Sequence, residues 1–139
     1  MRQKLNLITL GVKKFHDSVR FYESLGWMKS AASMDELALF PLGGITLALY
    51  PRQELADDAT VENEPTGFSG ITLSFNAKSE AEVMEVLDEA KRAGARIIKP
   101  AQKVFWGGFS GYFRDLDDHL IEVACNPFWQ LDENDNLIL

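Results

Sequence analysis

The tripeptide Ile-Thr-Leu occurs near the start of both halves of the chain, as Ile8-Thr9-Leu10 and Ile71-Thr72-Leu73. Each copy alternates like a strand and precedes a helical pattern that stops at a glycine, Gly26 or Gly94. Each half then ends in a strand that stops at a proline, at residues 45–51 and 119–127. This order, present twice, predicts two copies of one module, which can face each other across a shared cleft.

The repeat divides the chain of 139 residues into four segments. We assign residues 1–51 to module one, 52–66 to an acidic, polar linker, 67–127 to module two and 128–139 to a C-terminal tail. This length suits one ordinary domain with a sizeable core. The predicted fold class is therefore α+β, in a single domain.

Hydrophobic periodicity predicts two main helices and eight strands. The helices cover residues 16–25 and 79–93, and Ser79 with Glu82 forms a capping box at the start of the second. The strands are expected at 4–12, 27–33, 36–41, 45–50, around 71–75, and at 95–99, 111–115 and 119–125.

The two opening strands have unlike faces. One face should cover the helices with Ile8, Leu10, Val12, Ile71, Leu73 and Phe75. The other carries smaller and more hydroxylic residues: Leu7, Thr9, Gly11, Gly70, Thr72 and Ser74. Such a face packs poorly as a core, so it either lines a solvated cavity or faces bulk solvent.

Composition limits the choice of partners and compartment. The net charge is −7, which disfavours nucleic acid and anionic membranes because both need clustered Lys and Arg. No apolar run is long enough for a membrane span, and the charged N-terminus does not resemble a signal peptide. Cys125 is the only cysteine, which suits a reducing cytoplasm, and we expect a buried, inert thiol. The acidity is compatible with a cationic ligand but is also common among soluble domains.

Two segments, 5–27 and 105–128, resemble the vicinal oxygen chelate superfamily, the glyoxalase/bleomycin resistance protein/extradiol dioxygenase group. The first contains Ser-x-x-Phe-Tyr and Leu-Gly-Trp, and the second an aspartate-rich turn before Ile-Glu-Val. The resemblance implies two βαβββ modules that form an open, curled mixed β-sheet around a central cleft. It also implies a homodimer and, in the enzymes of the family, a divalent metal in the cleft.

The usual metal-binding positions of that family are mostly unsuitable here. The resemblance places three of them on Leu7, within 45–50 and on Gly70, where no His, Asp, Glu or Cys occurs, and the fourth on Glu122. A divalent ion needs several N, O or S donors, so one carboxylate does not suffice. His16 and His119 are better explained by a helix start and a turn. We therefore expect no metal and no other cofactor.

Glu122 is the candidate functional carboxylate. It shares its strand face with Leu120 and Ala124, and the resemblance points it into the cleft. Partial desolvation there would suit it to act as a general base or acid, or to pair with a cationic ligand. The alternative is a remnant carboxylate bound by Tyr, Thr or water.

An aromatic, glycine-containing segment at 105–113 precedes the final strand. Trp106 and Tyr112 can stack on planar or cationic groups, or simply plug the core beside a turn. In module one, Tyr50 is the pseudo-symmetric candidate, and Arg52 is best explained as a solvated linker residue. We expect Phe128 and Trp129 to pack the tail or a dimer partner. The predicted ligand-binding set is Trp106, Tyr112, Tyr50, Thr9, Thr72, Ser74 and Glu122.

Three functional classes remain open. The first is a metal-free protein like the bleomycin resistance proteins, binding a small aromatic or cationic molecule. The second is a glyoxalase-type lyase or isomerase with an unusual metal site. The third is a metal-free enzyme that uses Glu122 as its catalytic base.

Overall fold

The computed structural model describes residues 1, 5–64, 67–69 and 71–138. The chain forms two compact units, Met1–Ser69 and Gly70–Leu139. The predicted metal position Gly70 lies outside the described residues. No helix in the described ranges is long and apolar enough to cross a membrane.

The first unit contains a three-stranded sheet and two helices. Its elements in chain order are β1 (Leu7–Val12), α1 (Phe15–Ser24), β2 (Ala38–Pro41), β3 (Thr46–Pro51) and α2 (Arg52–Asp58). The sheet order is β1-β3-β2, with β1 parallel and β2 antiparallel to β3. Because parallel neighbours need a crossover connection, α1 and β2 lie between β1 and β3 in the sequence.

An aromatic cluster forms part of the core of the first unit. The Tyr22 ring, from α1, lies 5.2 Å from the Trp27 ring and 6.0 Å from the Phe40 ring, measured between centroids. Tyr22 and Phe40 are almost completely buried. They share the core with aliphatic side chains from the strands, including Leu10, Val12, Leu47 and Leu49. Leu10 and Val12 are thus buried, as predicted for this face of β1.

The strand predicted at 27–33 is wrong, since the structure assigns no strand to these residues. One backbone hydrogen bond joins the segment to β2, from Ser30 N to Leu39 O at 2.7 Å. Two other backbone N–H groups donate to serine hydroxyls: Ala32 N donates to Ser30 Oγ, and Leu39 N donates to Ser33 Oγ. Such local side-chain bonds compete with a continuous strand ladder.

The segment assigned to the linker begins with a helix that hydrophobic periodicity did not predict, because residues 52–58 form α2. This helix covers β1 at Gly11, where a Cβ atom would lie 3.2 Å from Arg52 Cα and 3.3 Å from Leu55 Cδ2. Gly11 therefore does not line a solvated cavity as its small size suggested; it makes room for a helix. Arg52 bonds back to the rest of the linker, donating from Nε to Asn63 Oδ1 at 2.6 Å.

The second unit has the complete βαβββ order. Its elements are β4 (Leu73–Asn76), α3 (Glu80–Arg92), β5 (Arg96–Lys103), β6 (Phe109–Arg114) and β7 (Leu120–Cys125). The tail, assigned no structure from the sequence, adds a two-stranded hairpin of β8 (Gln130–Leu131) and β9 (Leu137–Ile138). The main sheet has the order β4-β7-β6-β5, with β4 parallel to β7 and the other pairs antiparallel.

Helix α3 begins as the capping pattern predicts. Ser79 Oγ accepts a hydrogen bond from Glu82 N at 3.1 Å. The Glu82 carboxylate reaches one residue further back than a capping box requires and accepts from Lys78 N. The helix buries Val83, Leu87 and Ala90 against the sheet and ends before Gly94, whose φ of 105° is in the left-handed region.

The helix side of the second sheet is less covered than the alternation of residues suggested. Ile71 and Phe75 are exposed, and Ile71 precedes β4 instead of lying in it. Phe113, Ile121 and Val123 are buried on this side. Both units combine helices with open mixed sheets, which confirms the predicted α+β fold class.

Candidate functional site

The second unit contains a groove of about 440 Å³ on the side of its sheet that faces away from α3. We call it the second-unit groove. It is lined by Ser74, Asn76, Trp106, Glu122, Ala124, Asn126, Phe128 and Trp129. Three of these side chains are aromatic and one, Glu122, is ionisable. The groove is therefore apolar-walled with a single carboxylate.

Strand register places Glu122 at the centre of a polar row. Ser74 on β4 pairs with Glu122 on β7, and Glu122 pairs with Tyr112 on β6. Ser74 Oγ donates to Glu122 Oε2 at 3.1 Å, and the Tyr112 hydroxyl also bonds to the Glu122 carboxylate. Two hydroxyl donors thus hold the carboxylate in place, and its remaining acceptor capacity is free to meet a donor in the groove.

Tyr112 is perturbed by its position in this row. Desolvation is the largest cause, followed by the hydrogen bond and the charge of Glu122, and together they raise the pKa of Tyr112 to about 12. The phenol therefore stays protonated at neutral pH and can donate continuously to the carboxylate.

Trp106 forms one wall of the groove because two glycines follow it. Its indole lies over Gly108, where a Cβ atom would come within 1.6 Å of Trp106 Cζ3. Gly107 has a φ of 89° and lies close to the Phe128 ring, 3.2 Å from its hypothetical Cβ to Phe128 Cε2. Adjacent glycines can let the backbone come close to a ligand. In the structure they allow close approach of the protein's own rings.

The structure assigns groove-lining positions to five residues outside the predicted binding set: Asn76, Ala124, Asn126, Phe128 and Trp129. Asn76 lies two residues beyond Ser74, so strand alternation alone could have found it. Asn126 begins a turn, with its Oδ1 accepting from Phe128 N at 3.0 Å. That turn brings Phe128 and Trp129 to the groove, and the Asn-Pro pair at 126–127 was the available signal.

The remaining predicted ligand residues lie elsewhere. Thr72 is exposed and precedes β4. Thr9 and Tyr50 belong to the first unit, where they are half-buried on the same face of its sheet. The structure thus brings together Ser74, Trp106 and Glu122 as lining residues, with Tyr112 bound to Glu122.

The two histidines and the cysteine lie outside the groove lining. His119 Nδ1 is 2.8 Å from Asp115 Oδ2 in the turn before β7, as expected for a turn residue. His16 is exposed in the first turn of α1. Cys125, expected to be buried, is half-buried at the end of β7.

The residues around Glu122 do not fit a divalent metal. Its two close partners, Ser74 and Tyr112, use their hydroxyls as donors to the carboxylate, whereas a metal needs electron-pair donors directed at itself. Leu7, at the first family position, is an exposed apolar residue. Within the parts of the chain that the structure describes, no group of three or more His, Cys, Asp or Glu side chains could hold a metal ion.

Comparison with known families agrees with the fold and with both signature segments. The model of the Glyoxalase/Bleomycin resistance protein/Dioxygenase superfamily matches residues 4–123. Because this match covers most of the chain, the protein belongs to that superfamily. The family resemblance drawn from the sequence is therefore confirmed.

Solved structures show the same architecture. A glyoxalase-related enzyme from Fulvimarina pelagi is 30% identical, with a TM-score of 0.88 over 99% of this chain and 98% of its own. A lactoylglutathione lyase from Agrobacterium tumefaciens is 19% identical, with a TM-score of 0.68 over 93% and 98% of the two chains. A fosfomycin resistance protein from Mesorhizobium loti is also 19% identical, with a TM-score of 0.67 over 92% and 96%. The last two show a shared fold only.

Proposed function

We propose that this protein is a metal-independent binding protein for a small aromatic cation, which it takes into the second-unit groove. The observation that carries the proposal is the position of Glu122. Among the described residues that line the groove it is the one ionisable side chain, and the walls include Trp106, Phe128 and Trp129. A carboxylate among aromatic rings favours a guest that has both a planar ring and a positive charge.

The expected binding energy comes from two kinds of contact. A stacked ring contributes on the order of 1 kcal/mol beyond its buried area. A hydrogen bond from an ammonium to a carboxylate contributes about 1.5–3 kcal/mol. Ser74 and Tyr112 already orient the carboxylate, so less conformational entropy is lost when the ligand binds.

The lack of fit around Glu122 supports metal independence. Elemental analysis of the purified protein should find far less than one equivalent of Zn, Ni, Mn or Fe per chain. Dialysis against a chelator should leave ligand affinity unchanged. A near-stoichiometric metal, or affinity lost with the metal and restored by adding it back, would contradict this part of the proposal.

The binding test uses three probes that share one ring system: 2-naphthylmethylammonium, neutral 2-naphthylmethanol and anionic 2-naphthoate. Isothermal titration calorimetry should rank the cation above the alcohol and the alcohol above the anion. Glu122→Gln should weaken binding of the cation by roughly tenfold and leave the alcohol nearly unchanged. Trp106→Ala should weaken binding of all three probes.

Matched controls separate the groove from general effects. Glu85→Gln removes the same charge from an exposed position on α3, and Phe105→Ala removes an aromatic ring that is fully exposed next to Trp106. Both variants should bind like the wild type. Equal affinity for the three probes, or an equal effect of the groove variants and the controls, would refute the proposal.

The second candidate function is a glyoxalase-type lyase or isomerase, with Glu122 as a general base. It is favoured by the similarity, at 30% identity over nearly the whole chain, to a protein described as a glyoxalase-related enzyme. Formation of lactoylglutathione from its hemithioacetal precursor, lost in Glu122→Gln and kept in Glu85→Gln, would establish it. Dependence of that turnover on an added divalent ion would distinguish the metal-dependent version from the metal-free one.

We also propose that the protein forms a homodimer, as the family resemblance implies. Sedimentation equilibrium should give twice the mass of the 15.6 kDa chain. A monomer at micromolar concentration would contradict it.

A further inference from the structure

Strand β5 carries three cationic side chains, and they differ in their partners. Arg96 Nη2 forms an ion pair with Asp118 Oδ1 at 2.7 Å, and Lys103 forms one with Glu80. Lys99 forms no ion pair within the described ranges, although it is half-buried. Its ammonium instead lies 5.6 Å from the centroid of the Tyr112 ring.

Lys99 extends the row that contains Glu122. It pairs with Tyr112 across β5 and β6, after a register shift that follows Ile97, and Tyr112 pairs with Glu122 across β6 and β7. Neighbouring strands lie about 4.8 Å apart, so two strand steps place the backbone positions of Lys99 and Glu122 roughly 10 Å apart. The row therefore has a cation at one position and a carboxylate two strands away, with a phenol between them.

We propose that Lys99 is an anion-binding subsite and that the ligand of the second-unit groove is zwitterionic. Its ammonium bonds to Glu122, its ring lies along Tyr112 and Trp106, and its carboxylate or other oxyanion meets Lys99. This inference rests on the proposed function, because it specifies the class of molecule that the groove takes.

The charges of the site support this assignment. A chain with a net charge of −7 repels anions in general, so an anionic group needs a specific cation to be tolerated. The Arg96 and Lys103 charges are already matched by carboxylates, whereas no carboxylate of the described residues is paired with Lys99. The cation–π contact with Tyr112 uses the Lys99 charge but does not neutralise it, so the ammonium can still meet an anionic group.

The test compares 3-[4-(aminomethyl)phenyl]propanoate with its methyl ester. The two probes share the ring and the ammonium and differ in the negative charge. In the acid, the ammonium and the carboxylate are separated by roughly one benzene ring and three carbons. This separation is close to the distance of two strand steps between Glu122 and Lys99. Wild-type protein should bind the acid about fivefold more tightly than the ester, as expected for one partly exposed ion pair.

Lys99→Met keeps the aliphatic stem and removes the charge. It should abolish the preference for the acid and leave the affinity for the ester unchanged. Lys103→Met, on the same strand, should retain the preference because Lys103 is paired with Glu80. Thermal unfolding of both variants checks that the fold is kept.

The outcomes separate this inference from the proposed function. If the wild type binds both probes equally, or if Lys99→Met keeps the preference, the Lys99 subsite is refuted and the cation-binding groove stands. If neither probe binds the wild type, the proposed function falls and this inference falls with it.

Discussion

Gly111→Ala should destabilise the second unit, because β6 passes directly under α3 at this residue. A Cβ atom there would lie 2.6 Å from Leu87 Cδ1, 2.8 Å from Lys99 O and 3.0 Å from Ala101 N. Leu87 can rotate, but the other two atoms belong to the backbone of β5, which is paired with β6. The added methyl group can be accommodated only if the strand pair or the helix moves.

The cost can be estimated from the general penalty for overpacking. Forcing an extra carbon into a well-packed core costs about 1–3 kcal/mol, and backbone neighbours place this site in the upper part of that range. For a chain of this size a loss of about 2–3 kcal/mol lowers the melting temperature by roughly 6–10 °C.

Urea unfolding followed by circular dichroism measures the change, with Gly67→Ala as the matched control. No atom lies within 4 Å of a Cβ placed on Gly67, so that variant should stay within about 0.5 kcal/mol of the wild type. If Gly111→Ala were as stable as Gly67→Ala, the packing of α3 on β6 described above would be incorrect.

Three further outcomes are expected. The phenol of Tyr112 should ionise near pH 12, because burial and then Glu122 keep it protonated, and ultraviolet titration should lose this step in Tyr112→Phe. Since the folded-state pKa of Tyr112 is raised above the usual 10.0, the contribution of this phenol to the free energy of unfolding should be fully present below pH 10 and be lost as the pH rises toward 12. The free energy of unfolding should therefore fall less steeply over this range in Tyr112→Phe, and an equal slope in both proteins would contradict this. Ser79→Ala should lower the free energy of unfolding by about 1 kcal/mol because Glu82 N loses its acceptor, whereas Ser79→Asp should restore it; equal loss in both would exclude the cap as the cause. Gly108→Ala should displace the Trp106 indole, change its fluorescence and weaken binding of 2-naphthylmethylammonium, while Gly67→Ala should do neither; unchanged fluorescence would mean that Trp106 does not lie over Gly108.

Local sequence signals determined most of the secondary structure. Gly26 and Gly94 end their helices with φ of 85° and 105°, values that glycine reaches without strain, and Ser79 caps α3. Strand alternation correctly placed Ser74, Glu122 and Ala124 on one face of the second sheet. These features depend on a few neighbouring residues, so the sequence carries them directly.

Secondary structure was predicted incorrectly where local signals compete. The serines around 30–33 interrupt a segment that reads as a strand, because their hydroxyls take backbone donors. The polar segment after Pro51 has the composition of a linker. It nevertheless forms α2, because Leu55 packs near Gly11 and Ala56 is buried. Tertiary contacts supplied the stabilisation that the helical pattern itself did not show.

The composition of the site was decided by tertiary structure. The sequence identified Glu122 and Trp106 as candidate site residues. It did not indicate that the Trp106 indole lies over Gly108 or that the Phe128 ring lies against Gly107. Lys99 joins the row of Glu122 only through the register shifts of β5, which no periodicity predicts. Strand register and turn geometry determine which distant residues come into contact, and both depend on packing over the whole unit. The alternation along a strand depends only on the residues of that strand, so the sequence shows it directly.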